Sequence, residues 1–259
     1  MRKYLYILLF CICSVSGFAQ KKNNKTFNAE GDNAIYTKEW GLGLRFHTNG
    51  YSAFFEHVWI RDIKRRKLIQ ANFFIYSDFR ERKIETIYNT DPKSFKYYYG
   101  KVNNFYALTL LYGNRRVIAN KSETSGVKLS LSYMGGISLG FLKPYYLRFV
   151  EQDAFGFQFT DEGYTEENRE AFLNDNPTTS KVFGAGSFGK GFNKIQFLPG
   201  LQAKVGLNFD FARKSNLVTS LEVGTQIDVF YKKVKTYITR NNKPYILNIY
   251  LSMQIGKRN

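Results

Sequence analysis

Beyond residue 13 the chain contains no cysteine, and its two cysteines, Cys11 and Cys13, sit in an apolar N-terminal run. The rest of the chain therefore excludes a disulfide framework, a thiolate metal site and a cysteine nucleophile. Histidine is almost as scarce. His47 and His57 are the only two, so a metal site would need several carboxylates to converge on them. A Ser-His-Asp arrangement would have to be built on one of the same two rings. No Gly-x-Ser-x-Gly elbow is present. Past the N-terminus no stretch approaches ~18 consecutive apolar residues, which excludes a spanning helix by that criterion. Acids are few as well: 21 Asp and Glu face 38 Lys and Arg, for a net charge of +17.

The N-terminus reads as a signal peptide. Arg2 and Lys3 precede "YLYILLFCICSV", and Gly17 and Ala19 place small residues before a cleavage point at Gln20. The apolar run is too short for a retained anchor. Phe10 and Ile12, which precede the two cysteines, do not suit a lipidation signal. The expected organisation is a signal peptide at 1–19, a periplasmic N-terminal segment at 20–37 and one β domain at 38–259. Without Arg2 and Lys3 the net charge is +15. A cysteine-free exported chain suits an oxidising compartment. Export also removes nucleic acid and nucleotide as partners and leaves lipid head groups and lipopolysaccharide phosphate as natural anions. A solubilising excess of lysine is the plainer reading of the same charge.

What the chain has in abundance is aromatic residues, 24 Phe and 19 Tyr, and period-2 alternation. In 127–141 the odd positions Val127, Leu129, Leu131, Tyr133, Ile137, Leu139 and Phe141 are apolar. The even positions Lys128, Ser130, Ser132, Met134, Gly136, Ser138 and Gly140 are, Met134 apart, small, polar or charged, as the two faces of a strand require. The pattern predicts about eight strands: 38–48, 51–62, 67–79, 103–117, 126–149, 196–211, 216–233 and 244–256. Residues 51–62 and 67–79 are mixed rather than cleanly alternating. Connections after even strands are short to moderate. Those after odd strands include a tight Asn49-Gly50 turn, a medium link at 234–243 and long ones at 80–102 and 150–195.

Several of these strands reach 13 residues or more, long for a soluble sheet and ample for a tilted membrane crossing. The expected fold is all-β, an antiparallel transmembrane β-barrel with short periplasmic turns and long extracellular loops. Ten strands remain an alternative if 154–160 adds a pair, and a soluble barrel or sandwich is the competing architecture. In the membrane reading the polar face is the filled interior. Arg45, Lys128, Lys204, Asp210, Glu222 and Asp228 then form an interior charge network, with Lys204 and Lys128 pairing with Glu222 and Asp228.

Four further stretches have a functional and a plainer reading. "GAGSFGKG" (184–191) imitates a dinucleotide fingerprint and a phosphate loop. Gly191 stands where the magnesium-holding hydroxyl belongs and no βαβ unit surrounds it, so a Gly-rich surface loop is expected. Tyr97, Tyr98 and Tyr99 in "RERKIETIYNTDPKSFKYYYGK" (80–101), with Tyr145 and Tyr146 in "KPYYLR" (143–148), are expected as interface aromatics at head-group level. Pro144 fits a rim. "TEENREAFLND" (165–175) suggests a short helix with Thr165 as N-cap.

The Ala19-Gln20 junction, "YYYGKVNNFYALTLLYG" (97–113) and "GGISLGFLKPYYL" (135–147) resemble the small outer-membrane β-barrel proteins of Bacteroidota over most of the chain. Unlike many such barrels the chain ends on "IGKRN" rather than an aromatic, which suggests a short periplasmic tail. The resemblance implies the outer membrane as location, no cofactor, and a non-enzymatic structural or interaction role. Its partners would be outer-membrane lipid, lipopolysaccharide or other outer-membrane proteins of a larger complex. A narrow pore or transporter and a membrane-embedded lipid-modifying enzyme are the alternatives.

Overall fold

The computed structural model describes residues 36–60, 64–78, 81–86, 95–119, 126–153, 156–174, 182–211, 217–239 and 242–259. The expected signal peptide and nearly all of the 20–37 segment lie outside these residues.

Eight long strands close into one antiparallel barrel. They are β1 (Lys38–His47), β2 (Gly50–Ile60), β3 (Arg65–Tyr76), β6 (Asn103–Ala119), β7 (Lys128–Pro144), β11 (Gln196–Asp210), β12 (Leu217–Phe230) and β13 (Tyr245–Arg258). Each pairs with its sequence neighbours among these eight, and β1 closes on β13 from Glu39 opposite Arg258 to His47 opposite Tyr250. The ten-stranded alternative is thereby corrected. Residues 156–163 do form a strand, β9 (Gly156–Gly163), but it pairs with β8 (Tyr146–Asp153) outside the barrel. β10 (Val182–Ala185) completes that three-stranded sheet in the order β10-β8-β9, and β4 (Lys83–Thr86) pairs with β5 (Phe95–Tyr98).

The barrel has a terminal end, where β1 begins and β13 finishes, and a loop end, where the long connections gather. The tight turn at the loop end is Thr48-Asn49, and Gly50 is already the first residue of β2. Gly50 has φ +135°, and a Cβ there would stand 2.1 Å from the Ile75 carbonyl oxygen of β3. Glycine is required at that position.

The 126–149 strand divides at Pro144. Both barrel neighbours of β7 end there, since Asn103 of β6 opposes Pro144 and Gln196 of β11 opposes Leu142. With no ladder left to join, the chain turns out through Tyr145, whose N–H donates to the Val102 carbonyl at 2.7 Å, and re-pairs as β8. The expected C-terminal tail is also corrected. "IGKR" continues β13, and the Asn259 N–H donates to the Lys38 carbonyl at 2.9 Å.

The outward face is apolar to an unusual degree. Along β13 the outward positions Tyr245, Leu247, Ile249, Leu251, Met253 and Ile255 are all exposed. Six such positions cover about 34 Å of strand, or about 26 Å of height at a tilt near 40°. Charge at the outward positions of the barrel strands is confined to Lys38, Arg65, Lys67, Arg116 and Lys257 at the terminal end and to Lys143 at the loop end, which the Phe188 and Phe192 rings cover. Between the two ends the band is uncharged on all eight strands.

The interior is layered. At the loop end Phe74, Phe105, Leu142, Leu198, Phe230 and Ile246 meet beneath Val234 of the β12–β13 connection and close the lumen with an apolar plug. On the β2–β3–β6–β7 side Val58, Leu68, Leu111 and Met134 pack inside. That inward apolar patch explains why 51–62 and 67–79 read as mixed: wall and lumen are both apolar there.

Candidate functional site

Two features carry the chemistry of this chain: the charged layer of the lumen and the cap over the loop end. The layer follows from strand parity. Wherever odd residues face out, even ones face in, and every barrel strand sends a polar side chain to the same level. At its centre Glu222 (β12) accepts from the Lys204 ammonium (β11) at 3.1 Å and the Tyr250 hydroxyl (β13) at 2.9 Å. Arg45 (β1) lies 4.0 Å from Glu222, donates to Gln70 (β3) at 3.1 Å, and is stacked between the Phe54 and Tyr250 rings at 4.5 and 4.6 Å. Lys204 also donates to Gln70 at 3.0 Å. Arg115 (β6) donates to both Glu56 oxygens (β2) at 2.8 and 3.1 Å and to Ser132 (β7) at 3.0 Å. The Tyr250 ring has room because Gly206 and Gly224 face it. A Cβ on either would come within 2.5 or 2.6 Å of its hydroxyl.

A second cluster lies toward the terminal end. Glu39 accepts from Arg66 at 3.0 Å and from Arg258 at 3.1 Å, and Arg258 also pairs with Asp210. Arg115, 3.7 Å from both Glu39 and Glu222, joins the two clusters. Of the six residues expected in the network, Arg45, Lys204 and Glu222 meet in the first cluster. Asp210 lies in the second, with Lys128 buried opposite it in the β7–β11 ladder. Asp228 stands apart near the plug and accepts from Gln226 at 3.1 Å, with no ion pair among the described residues. The expected Lys128–Asp228 pair does not form. Along β11 their ladder partners are Asp210 and Gln202, eight positions or about 27 Å apart. Glu39, Glu56, Gln70, Arg66, Arg115 and Arg258 went unread in the sequence. The outward run Tyr106, Leu108, Leu110, Tyr112 already implies that Arg115 points inward, and "SAFFEHVW" gives Glu56 the same parity.

The histidines separate. His57 lies on the outer wall, edge-on to Trp59 at 4.7 Å. His47 Nε2 lies 2.9 Å from the Ser52 hydroxyl, but its Nδ1 has no hydrogen-bond partner among the described residues and the plug closes the lumen above it. A serine–histidine contact without an orienting acid or an open approach is not assembled for acyl transfer. No group of three or more His, Cys, Asp and Glu that could hold a metal occurs among the described residues.

The cap corrects the expected interface aromatics. Tyr97 and Tyr145 are buried with Ile84, Leu147, Phe172 and Val182, and Tyr98 and Tyr99 pack against that core. The connections after β3 and β7 fold over the mouth and supply a small core of their own, so these tyrosines face protein. Tyr146 is half-buried, packed by the glycine loop: a Cβ on Gly186 would stand 2.8 Å from its Cβ, and one on Gly191 2.8 Å from its ring. "GAGSFGKG" is thus a packing segment. Its Lys190 pairs with Asp161 at 3.4 Å, and only a three-residue 3-10 turn follows it. Aromatics that do face outward on the wall at the loop end are Phe46, Tyr51, Phe197, Tyr231 and Tyr245.

The cap is tied to the barrel rim at several points. The Tyr237 hydroxyl donates to Glu81 at 2.5 Å, and Lys101 donates to the same carboxylate at 3.2 Å. Burial pulls the Lys101 ammonium below its ordinary pKa while Glu81 opposes the shift. In the outer sheet Arg148 donates to both oxygens of Asp161 at 2.7 and 3.2 Å. The Arg148 hydrogen bonds lead in drawing the Asp161 carboxyl down to about 2. The helix α1 (Arg169–Leu173) presents Phe172 to the cap core. Its N-cap is Asn168, not Thr165. Thr165 instead exchanges hydrogen bonds with Asn168 one turn earlier, at 2.8 and 3.3 Å.

No family model and no curated relative matches the chain. Several solved structures do. Ail, the attachment invasion locus protein of Yersinia pestis, in complex with the heparin analogue sucrose octasulfate, is 10% identical with a TM-score of 0.37. Neisserial surface protein A is 10% identical with a TM-score of 0.40, and the N-terminal β-barrel domain of Pseudomonas aeruginosa OprF is 6% identical with a TM-score of 0.32. Each comparison covers 86% of this chain and 96% of the other. Likeness at this level is weak, and the barrel rests on its own strand pairs.

Proposed function

We propose that the chain is a non-enzymatic outer-membrane β-barrel that holds a folded cap at the cell surface as a structural or interaction protein. The observation that carries this reading is the uncharged apolar band, about 26 Å tall, around the whole barrel. A soluble barrel would leave that surface in water, where so large a patch is an aggregation liability. The cap is the working part, and its outer sheet offers a surface for another outer-membrane protein. Phe157 and Phe159 on β9 are exposed, and among the described residues β9 has no strand on its far side.

The direct test is fractionation. The protein is expected in the outer membrane, with a mature N-terminus at Gln20 and a heat-modifiable gel mobility. Recovery in the soluble periplasm would end the reading. Affinity purification from native membranes is then expected to recover a partner that Phe157→Ser with Phe159→Ser releases, whereas recovery of the barrel alone would argue against an interaction role. The plug and the cross-lumen ion pairs oppose the pore alternative, and no steady conductance is expected in planar bilayers. Replacing His47 with Ala is expected to leave membrane lipid composition unchanged.

A further inference from the structure

We propose that the β12–β13 connection, with the rim of β11 beside it, is a binding site for a polyphosphorylated lipid of the leaflet at the loop end. This assignment rests on the membrane reading above. From Val229 to Asn259 the sequence holds no acidic residue, and from Ser187 to Phe209 it holds none either. These two stretches form neighbouring strands and their loop-end connections. Lys194, Lys232, Lys233, Lys235 and Lys243 are all exposed there, and none makes an ion pair among the described residues.

Elsewhere on the cap, among the described residues, several cations are answered by carboxylates, while Lys83 meets only the Tyr98 ring and Lys143 is buried against the Phe188 ring. Lys96 pairs with Glu85 at 2.6 Å, Arg148 with Asp161 at 2.7 Å and Lys101 with Glu81 at 3.2 Å. The rim formed by the β1–β2 turn, Thr48-Asn49, presents no cation at all. Among the described residues of the loop end, exposed lysines without an ion pair are therefore densest in one sector of the rim. They also sit at one height. Phe197, Tyr231 and Tyr245 close the outward apolar face on β11, the end of β12 and β13, with Tyr231 80% exposed. The lysines follow directly above. Rings at the edge of an apolar band with lysines beyond it match the boundary between acyl chains and head-group phosphates.

The backbone that displays these lysines is fixed. The Phe230 N–H donates to the Pro244 carbonyl at 2.7 Å, and the Val234 N–H to the Lys243 carbonyl at 3.0 Å. Asn242 accepts from the Thr236 N–H at 3.1 Å and donates to the Tyr237 carbonyl at 2.8 Å. Four lysines on a held hairpin outnumber the charge of one phosphodiester. The chemistry therefore favours a lipid with two phosphates, here a glycolipid of the lipid A type, over a phospholipid with one.

The experiment uses the full barrel, reconstituted in phosphatidylcholine vesicles containing bisphosphorylated lipid A and re-extracted in mild detergent. Native mass spectrometry counts the lipid retained. Wild type is expected to keep lipid A, and the variant K232Q/K233Q/K235Q/K243Q to lose at least about tenfold in retention, since each lysine near an anionic surface adds to binding. A control, K38Q/K64Q/K67Q/K257Q at the terminal end, removes the same charge and is expected to retain as wild type does. Rising salt is expected to weaken wild-type retention. Equal retention by wild type and the first variant, equal loss in the control, or equal retention of dephosphorylated lipid A or phosphatidylglycerol would overturn the site. The heat-modifiable shift of each protein keeps the two failures distinct. A wild-type chain that never enters the bilayer overturns the membrane reading, whereas an inserted barrel indifferent to phosphate overturns only this site.

Discussion

Lys204 and Lys233 carry the same ammonium group, yet their surroundings could hardly differ more. Lys204 is buried in the lumen, held by Glu222 and Gln70 at 3.1 and 3.0 Å beside the Tyr250 ring. Lys233 stands in the open at the loop end, in a stretch without a single acid. Inside the barrel, cations and carboxylates come in near-equal number and, Asp228 apart, most are tied strand to strand, because an unpaired charge there has no water to fall back on. At the rim the lysines stay hydrated and cost nothing to leave unpaired, so their clustering calls for another explanation. Burial makes charge structural in the lumen, and exposure leaves it available at the rim.

The largest effect should come from breaking the centre of the lumen. Glu222 answers Lys204, Arg45 and the Tyr250 hydroxyl at once, so Glu222→Ala leaves buried cations uncompensated. A loss of about 3–5 kcal/mol is expected, read as the urea unfolding midpoint in phospholipid vesicles. Lys204→Met should cost less, about 2 kcal/mol, because Glu222 keeps Tyr250 and lies 3.7 Å from Arg115. The double variant should lose less than the sum, since the two residues share one network. Additive losses would mean that the pair is not coupled and would remove the contrast with the rim.

The cap gives an intermediate case. Arg148 is about a third exposed, so its pair with Asp161 is worth at most about 1 kcal/mol. The folded carboxyl lies at about 2, below the ordinary 3.8. The stabilisation is therefore fully present above the ordinary value and is lost as pH falls through the folded one. An NMR titration of the Asp161 carboxyl is expected to show a midpoint near 2, rising toward 3.8 in Arg148→Gln. A midpoint already at 3.8 in the wild type would show the pair open in solution.

Much of this was legible from alternation. Where wall and lumen differ in polarity, as in 127–141 and 201–211, a period of two assigns each residue its side; the 196–211 strand was placed to within one residue, whereas 126–149 ran past Pro144 into β8. Legibility failed for particular reasons. Arg258 sits in a stretch read as a tail, and only its pairing with Glu39 across the barrel closure shows it to be strand. Lys128 and Asp228 have the right parity, but parity does not give depth, which register sets. Tyr97 and Tyr145 looked interfacial because composition does not reveal that their connections fold into a core of their own.

The smallest expected effect is the sharpest test of the comparison. Lys232→Gln with Lys233→Gln removes two exposed charges that meet no carboxylate among the described residues. Surface substitutions of this kind change stability by less than about 0.5 kcal/mol. Relief of repulsion among Lys232, Lys233, Lys235 and Lys243 would even favour the variant slightly. The unfolding midpoint should therefore match that of the wild type in the same vesicles in which Lys204→Met is visibly weakened. If the rim pair costs as much as Lys204→Met, these lysines hold the cap in place and are not free to meet a ligand. If the midpoint stays put while phosphate-dependent lipid retention falls, charge at the rim serves something outside the protein, as charge in the lumen serves the fold.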